Sequence, residues 1–207
     1  MQHLLKFILL LVILLAVSTC KKDKEKDKSD DKEGVVIGGI RWATSNVDMP
    51  GTFAATPEDA GMFYQWNRKV GWSSTDPMIN SDGITKWDDS YPSGDTWEQE
   101  NDPCPCGWRV PTMEELIRLE KSNSYWDELN GVGGRFFGEK DNILFLPAGG
   151  GRNLTTGLIN LVGEYGFYWG SSEKNNTASR LVFTSALVGT NYSRKPFGYT
   201  VRCVAIE

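Results

Sequence analysis

The sequence predicts an α+β domain over residues 35–207, in which two helices pack with small antiparallel sheets and a long irregular loop region. All eight tryptophans and many glycines lie in this part of the chain, among short apolar runs. That composition is typical of a compact, loop-rich fold rather than of a helical bundle. Two segments carry helix-start signals, and most of the remainder reads as short strands between turn-forming residues.

The chain begins with the pattern of an export signal. An apolar run of eleven residues, 7–17, follows Lys6. At about 1.5 Å per residue this run is too short to cross a hydrocarbon core of about 30 Å, which favours a signal peptide over residues 1–19. The run ends in VSTC, which resembles the lipobox of bacterial lipoproteins. We therefore expect Cys20 to become the first mature residue and to carry the lipid; ordinary secretion, with no role for Cys20, is the alternative.

A charged segment, residues 20–34, follows the signal. Positions 21–33 hold six lysines, six acidic residues and no apolar residue. Such a segment buries too little apolar surface to offset its ordering entropy, which predicts a solvated tether. A charged tether after a lipidated cysteine resembles the surface-export signals of Bacteroidota lipoproteins. The expected location is therefore the outer membrane, with the lipid as the membrane anchor and the domain at the cell surface.

Charge and histidine content exclude several function classes. The whole chain carries −5, the tether is neutral and Lys6 adds +1, so the domain carries about −6. An acidic domain without a basic cluster argues against a nucleic-acid partner. The only histidine is His3, inside the signal, so the mature chain has no imidazole for a nucleophilic pair or a metal site. We therefore predict no catalytic residue, no metal and no cofactor, and we interpret WDDS (87–90) as solvated loop carboxylates rather than a calcium site.

Two helices are predicted from their start signals. The first covers residues 56–68, with Thr56 as N-cap and Pro57 in the first helical position. The second begins after Thr112, which stands three residues before Glu115 in the spacing of a capping box. Its apolar stripe consists of Met113, Leu116, Ile117 and Leu119. A short helical turn is expected over residues 124–131.

The remaining segments are predicted as strands and loops. Residues 35–48 are β-branched and end in turn formers, which predicts an opening strand. Residues 69–103 have repeated turn signals and scattered tryptophans, which predicts a long ordered loop. Further strands are expected at 143–150, 157–172, 180–189 and 197–207. Their alternation favours a mixed or antiparallel sheet that the C-terminal strand closes.

Six motifs occur along the chain in a characteristic order. They are RWATSNVD, TPEDAGMFYQW, NDPCPCGWRVPTMEEL, FLPAGGGR, GFYWGSS and GYTVRCV. This series resembles the Fibrobacter succinogenes major paralogous domain family of secreted bacterial proteins, over nearly all of residues 35–207. The resemblance implies a C-type-lectin-like fold with two helices, and it implies little about biochemistry because most members have no established activity.

Three cysteines lie in the domain. Without a histidine they are too few for a zinc site, and Cys104 and Cys106 lack the C-x-x-C spacing of thioredoxin-like proteins. A structural disulfide is the usual state in an exported protein. In the resembling family one cysteine precedes the GWRVPT helix and another lies in the RCV strand, which implies a bond between Cys104 and Cys203. Cys106 is then a buried small apolar residue, unless it replaces Cys104 as the partner.

The leading functional hypothesis is a non-enzymatic, surface-exposed lipoprotein that acts as a ligand-binding or adhesin module. Its ligand would be a glycan or a protein on another surface. One alternative is an enzyme like the formylglycine-generating enzymes, which depend on a pair of active-site cysteines. Another is a structural subunit of an envelope or a fimbria, which would self-associate without a ligand.

The ligand is expected on two late polar segments, 173–180 and 189–196. Both are rich in adaptable hydrogen-bonding side chains with a tyrosine among them, the chemistry that antibody paratopes use. Two ordinary polar hairpin tips are the alternative interpretation. The predicted ligand-binding residues are Asn175, Asn176, Asn191, Tyr192, Ser193 and Arg194. Lectin-fold lipoproteins diversified by retroelements vary at this C-terminal position, so Asn175, Asn176, Asn191, Tyr192 and Ser193 are also candidates for a hypervariable surface.

Overall fold

The computed structural model of this protein describes residues 34–207, so the predicted signal peptide, Cys20 and most of the tether lie outside the described residues. Within this range the chain forms fifteen strands in three sheets and a single α-helix. The prediction of an α+β, C-type-lectin-like fold with two helices is therefore wrong, because the domain is mostly β. No helix in the described range is long and apolar enough to cross a bilayer.

A four-stranded sheet joins the two ends of the domain. Its strand order is β1-β2-β15-β5, and all its pairings are antiparallel. The strands are β1 (Gly34–Ile37), β2 (Ile40–Ala43), β5 (Trp108–Arg109) and β15 (Val204–Ala205). Val204 pairs with both Trp42 and Arg109. The last strand thus lies next to the opening hairpin, which confirms that the C-terminal strand closes a sheet.

An eight-stranded sheet forms the centre of the domain. Its main path is β10-β9-β14-β11-β12-β13, and β3 adds a branch because it pairs with both β14 and β4. The strands are β3 (Phe63–Gln65), β4 (Gly71–Trp72), β9 (Gly151–Arg152), β10 (Ile159–Asn160), β11 (Gly166–Lys174), β12 (Thr177–Phe183), β13 (Val188–Arg194) and β14 (Gly198–Thr200). Only the β11–β14 pair is parallel. The β11–β12–β13 meander leaves β13 as an edge strand.

The third sheet is a meander of β6 (Ser124–Leu129), β7 (Val132–Glu139) and β8 (Asn142–Pro147). The helical turn predicted for 124–131 is therefore wrong. Asn130 and Gly131 both have positive φ, 51° and 83°, as a two-residue hairpin turn requires. Residues on either side of this turn pair directly, with Leu129 opposite Val132. The turn signal decides the structure here, not the short helical pattern.

Helix α1 (Met113–Glu120) confirms the second predicted helix. The Thr112 hydroxyl accepts from the Glu115 amide at 3.3 Å, and the Glu115 carboxylate accepts from the Thr112 amide at 2.8 Å. This is the reciprocal capping box that the sequence indicates. Leu116 and Leu119 are the buried members of the stripe and pack the helix onto the central sheet.

Residues 56–68 do not form the predicted first helix but contain turns and then β3. Gly61 has a φ of +64°, and a Cβ at this position would lie 2.2 Å from the Val47 carbonyl oxygen. The next segment, Phe63–Gln65, is buried at every residue because it lies between β14 and β4. Strand pairing and burial on both faces override the local helix-start signal of Thr56 and Pro57.

The long loop predicted for 69–103 is confirmed, interrupted only by β4 and a 3-10 turn (Gln99–Asn101). Aromatic rings pack it against the domain: Trp72 and Trp87 lie 5.1 Å apart, centroid to centroid. The buried Arg152 adds a polar anchor, since its guanidinium donates to the carbonyls of Ser73 and Thr75 at 2.9 and 2.8 Å. The loop is thus held in place by side chains rather than by regular structure.

The core consists of two apolar clusters, one on each side of the central sheet. One contains Trp66, Trp169 and Tyr199, and the other packs α1 and the three-stranded meander against Tyr168 and Leu181. The predicted disulfide between Cys104 and Cys203 is confirmed, and it borders the first cluster. Cys106, in contrast, is exposed and not buried as expected, and the described residues contain no free cysteine.

Candidate ligand-binding site

Asn175 and Asn176 form the turn between β11 and β12. Both are exposed and have positive φ, 52° and 59°. Asparagine tolerates this left-handed conformation better than most other residues, and a two-residue hairpin turn needs it at both positions. The Asn176 amide also contacts the Glu173 carboxylate. Turn geometry therefore explains both residues without a ligand.

The segment 189–196 is mostly strand β13 and not a loop. Side chains alternate between the two faces of a strand, so Asn191 and Ser193 lie on one face, and Tyr192 and Arg194 on the other. Ser193 is buried, and its hydroxyl lies 3.2 Å from that of Tyr199. The structure thus separates the six predicted residues into a turn and two sheet faces.

Arg180, on β12, lies at the centre of the face that carries Asn191. It stands directly opposite Asn191 on one side and Trp169 on the other. Its Nε donates to the Asn191 side-chain oxygen at 2.8 Å, and its Nη1 donates to the Tyr199 hydroxyl at 2.8 Å. The guanidinium carbon lies 5.0 and 5.3 Å from the ring centroids of Phe167 and Tyr199. Two hydrogen bonds and two rings therefore fix its orientation.

Four stacked rings support this arginine, and we call them the aromatic row: Tyr165, Phe167, Tyr199 and Phe197. Their successive centroids are 5.4, 4.8 and 5.4 Å apart, with interplanar angles of 15°, 27° and 9°. The two central rings are buried, whereas Tyr165 and Phe197 at the ends are half-buried. Ring surface therefore reaches solvent at both ends of the aromatic row.

The hydrogen-bonding capacity of this site is only partly used. A guanidinium has five N–H donors, and those of Arg180 make two hydrogen bonds among residues 34–207. No described carboxylate forms an ion pair with it. Burial raises the pKa of Tyr199, an effect that Arg180 and Ser193 oppose, so the phenol is neutral at physiological pH. The site therefore presents a cation, spare donors and ring surface, which suits a ligand with an anionic or acceptor group.

The sequence interpretation missed the centre of this site. Arg180 lies in the segment 173–180 but is not among the predicted ligand-binding residues, and Phe167 and Tyr199 belong to motifs that carry no predicted binding role. Period-2 alternation was the available signal, because Phe167 and Trp169 share one face of β11. Placing them beside Arg180 and Asn191 also needs the register between strands, which the sequence does not contain.

Two other places were candidates for a site. Among residues 34–207, no group of three metal-ligating side chains comes together. Asp88 of WDDS instead forms an ion pair with Arg68 at 2.7 Å, and hydrogen bonds from Ser90 lower its pKa. A cavity of about 610 Å³ between the β1–β2 hairpin and α1 has arginines and glutamates in similar number, and Arg109 there is already paired with Glu115. Neither place shows the unpaired charge that Arg180 has.

Comparison of the chain with protein-family models, curated proteins and solved structures gives no match. The resemblance to the Fibrobacter succinogenes major paralogous domain family thus stays a prediction. The functional assignment rests on Arg180, Asn191 and the aromatic row, which together we call the Arg180 surface.

Proposed function

We propose that this protein is a non-enzymatic ligand-binding module at the bacterial cell surface, and that the face around Arg180 is its binding site. The observation that carries the proposal is the guanidinium of Arg180, which lies on the aromatic row without a carboxylate partner among residues 34–207. Positively charged and aromatic side chains with spare donors are typical of recognition surfaces. The ligand would be a glycan or a protein.

The proposal includes an anchor outside the described residues. Cys20 would carry the lipid in the outer membrane, and the charged tether that ends at residue 34 would hold the domain away from it. Globomycin should then trap an unprocessed precursor, and mass spectra of the mature protein should show lipid on Cys20. A secreted protein with an unmodified Cys20 would contradict the anchor but not the binding site.

The binding site is tested with the mature full-length protein, purified in detergent and applied to an array of glycans and cell-surface proteins. Arg180→Ala and Asn191→Ala should weaken the signal for the ligand that the array identifies. Arg118→Ala, at an exposed arginine of α1, is the matched control and should have no effect. Unchanged binding in both site variants, with the fold intact, would place the site elsewhere. An array without any ligand would contradict the proposed function itself.

A further inference from the structure

We infer that the ligand of the Arg180 surface is a carbohydrate that carries a single carboxylate, a uronic acid within an otherwise neutral glycan. This inference rests on the proposed function and names its ligand class. Three properties of the site support it: the donor geometry at Arg180, the partly exposed rings at both ends of the aromatic row, and the acidic charge of the surrounding domain.

The donor geometry fits a carboxylate. Arg180 uses Nε and one Nη1 proton within the described part of the chain, which leaves three of its five N–H groups available. Asn191 accepts from Arg180 through its oxygen and is exposed, so its amide nitrogen adds a further donor beside the guanidinium. A planar fork of donors matches the two oxygens of a carboxylate. Tyr199 and Asn191 prevent rotation of the fork, so little side-chain entropy is lost on binding.

The surroundings of Arg180 fit a sugar ring better than a peptide. Tyr165 and Phe197 are half-buried at the two ends of the aromatic row, and each stacks on a ring that contacts the guanidinium. Arg180 itself is half-buried, on the face of the central sheet that carries the first apolar cluster. A rigid pyranose can lie beside the guanidinium with its C–H groups against the exposed parts of these rings. A flexible acidic peptide would lose more backbone freedom on binding there than a rigid sugar ring.

The charge of the domain favours one carboxylate over many. Residues 34–207 carry about −6, since the chain carries −5 and the segment before residue 34 carries +1. A polyanion such as a nucleic acid or an acidic polypeptide would be repelled by this field. A single carboxylate on a neutral glycan meets Arg180 locally and adds little long-range repulsion.

The test compares two immobilised disaccharides that differ at one group: one ends in glucuronic acid and the other in glucose. The mature full-length protein should bind the acid at least about tenfold more tightly, as expected for a charge-assisted contact. Arg180→Lys keeps the charge but loses the fork and should reduce binding of the acid by about tenfold. Asn191→Asp is nearly isosteric and provides Arg180 with an internal carboxylate, so it should abolish the preference for the acid. Arg118→Lys is the control and should behave as the wild type.

The outcomes separate this inference from the proposed function. Equal binding of the two sugars, still dependent on Arg180, would overturn the uronic acid and leave the binding site standing. The same follows if an acidic peptide competes as well as the acidic sugar, or if neither sugar binds while the array gives another ligand that depends on Arg180. If no ligand depends on Arg180 in folded variants, both the inference and the proposed site are wrong.

Discussion

Arg202 is a cation in the core of the domain. Its Nε donates to the Asn46 side-chain oxygen at 2.8 Å and its Nη1 donates to the Ala43 carbonyl at 3.1 Å, whereas Nη2 has no partner among residues 34–207. Burial lowers the pKa of Arg202 to about 10, although the nearby Tyr168 opposes this shift. Arg202 therefore links the end of the chain to the segment that follows β2, without a counter-ion among the described residues.

We predict that Arg202→Ala lowers the free energy of unfolding by about 3 kcal/mol, because it leaves a cavity and removes donors from two buried acceptors. Denaturant unfolding of the variant measures this loss. Adding Asn46→Ala to this variant should lower the free energy of unfolding by less than Asn46→Ala does in the wild type, since the two side chains share a hydrogen bond. Arg118→Ala, at an exposed site, should stay within about 0.5 kcal/mol of the wild type. A loss below about 1 kcal/mol for Arg202→Ala would contradict this role.

The turn residues Asn175 and Asn176 lead to a second prediction. Both have positive φ, so Asn176→Val should lower the free energy of unfolding by about 1–2 kcal/mol. Asn176→Gly should leave it nearly unchanged because glycine adopts this conformation freely. Thermal unfolding of the two variants tests the difference. Equal stability would show that the turn tolerates any residue, as a hypervariable surface requires; the predicted difference argues against variation at this position.

At the scale of elements, α1 depends on Glu115, which caps the helix and also binds Arg109 through both carboxylate oxygens at 2.7 and 2.8 Å. Burial alone would raise the pKa of Glu115, but the hydrogen bonds from Arg109 and Thr112 outweigh it, and the net shift is downward. A lowered folded pKa means that the carboxylate stabilises the native state above its ordinary pKa of about 4.3. This stability is lost as the pH falls through the folded pKa.

Glu115→Gln should therefore lower the free energy of unfolding at pH 7 by about 1–2 kcal/mol. The difference between variant and wild type should shrink as the pH falls below about 4, where the wild-type carboxylate takes up its proton. Unfolding curves between pH 3 and pH 7 measure it. Glu114→Gln, at an exposed neighbour in the same helical turn, is the matched control and should show a smaller effect. A difference that does not change with pH would exclude the carboxylate charge as its cause.

The two predicted helices show what local sequence can determine. Thr112 and Glu115 satisfy each other within one turn, so the start of α1 follows from neighbouring residues alone. Thr56 and Pro57 give an equally clear start signal, but Gly61 and the buried run of β3 belong to contacts with distant strands. The Arg180 surface also depends on contacts between distant segments, because its residues lie on or next to four strands, β11, β12, β13 and β14. Patterns with a period along one segment were therefore predictable, and registers between segments were not.

At the scale of the whole molecule, the C-terminal end of the domain is held in place twice. Strand β15 pairs with β2 and β5, and the disulfide joins Cys203 to Cys104, just before β5. The bond connects residues 99 positions apart, and the closed segment contains α1, the three-stranded meander and most of the central sheet. Because the enclosed segment is about a hundred residues long, a cross-link between its ends restricts the unfolded chain strongly.

The double variant Cys104→Ala/Cys203→Ala should lose about 4–5 kcal/mol of unfolding free energy in the chain-entropy account, since the closed loop is about a hundred residues long. Reduction of the wild type should bring its stability toward that of the double variant. Because neither cysteine is part of the Arg180 surface, ligand affinity should be unchanged at temperatures where the variant remains folded. A loss below about 1 kcal/mol would mean that strand pairing alone holds the C-terminal end. Reduced affinity in the folded variant would instead show that the disulfide also positions the Arg180 surface.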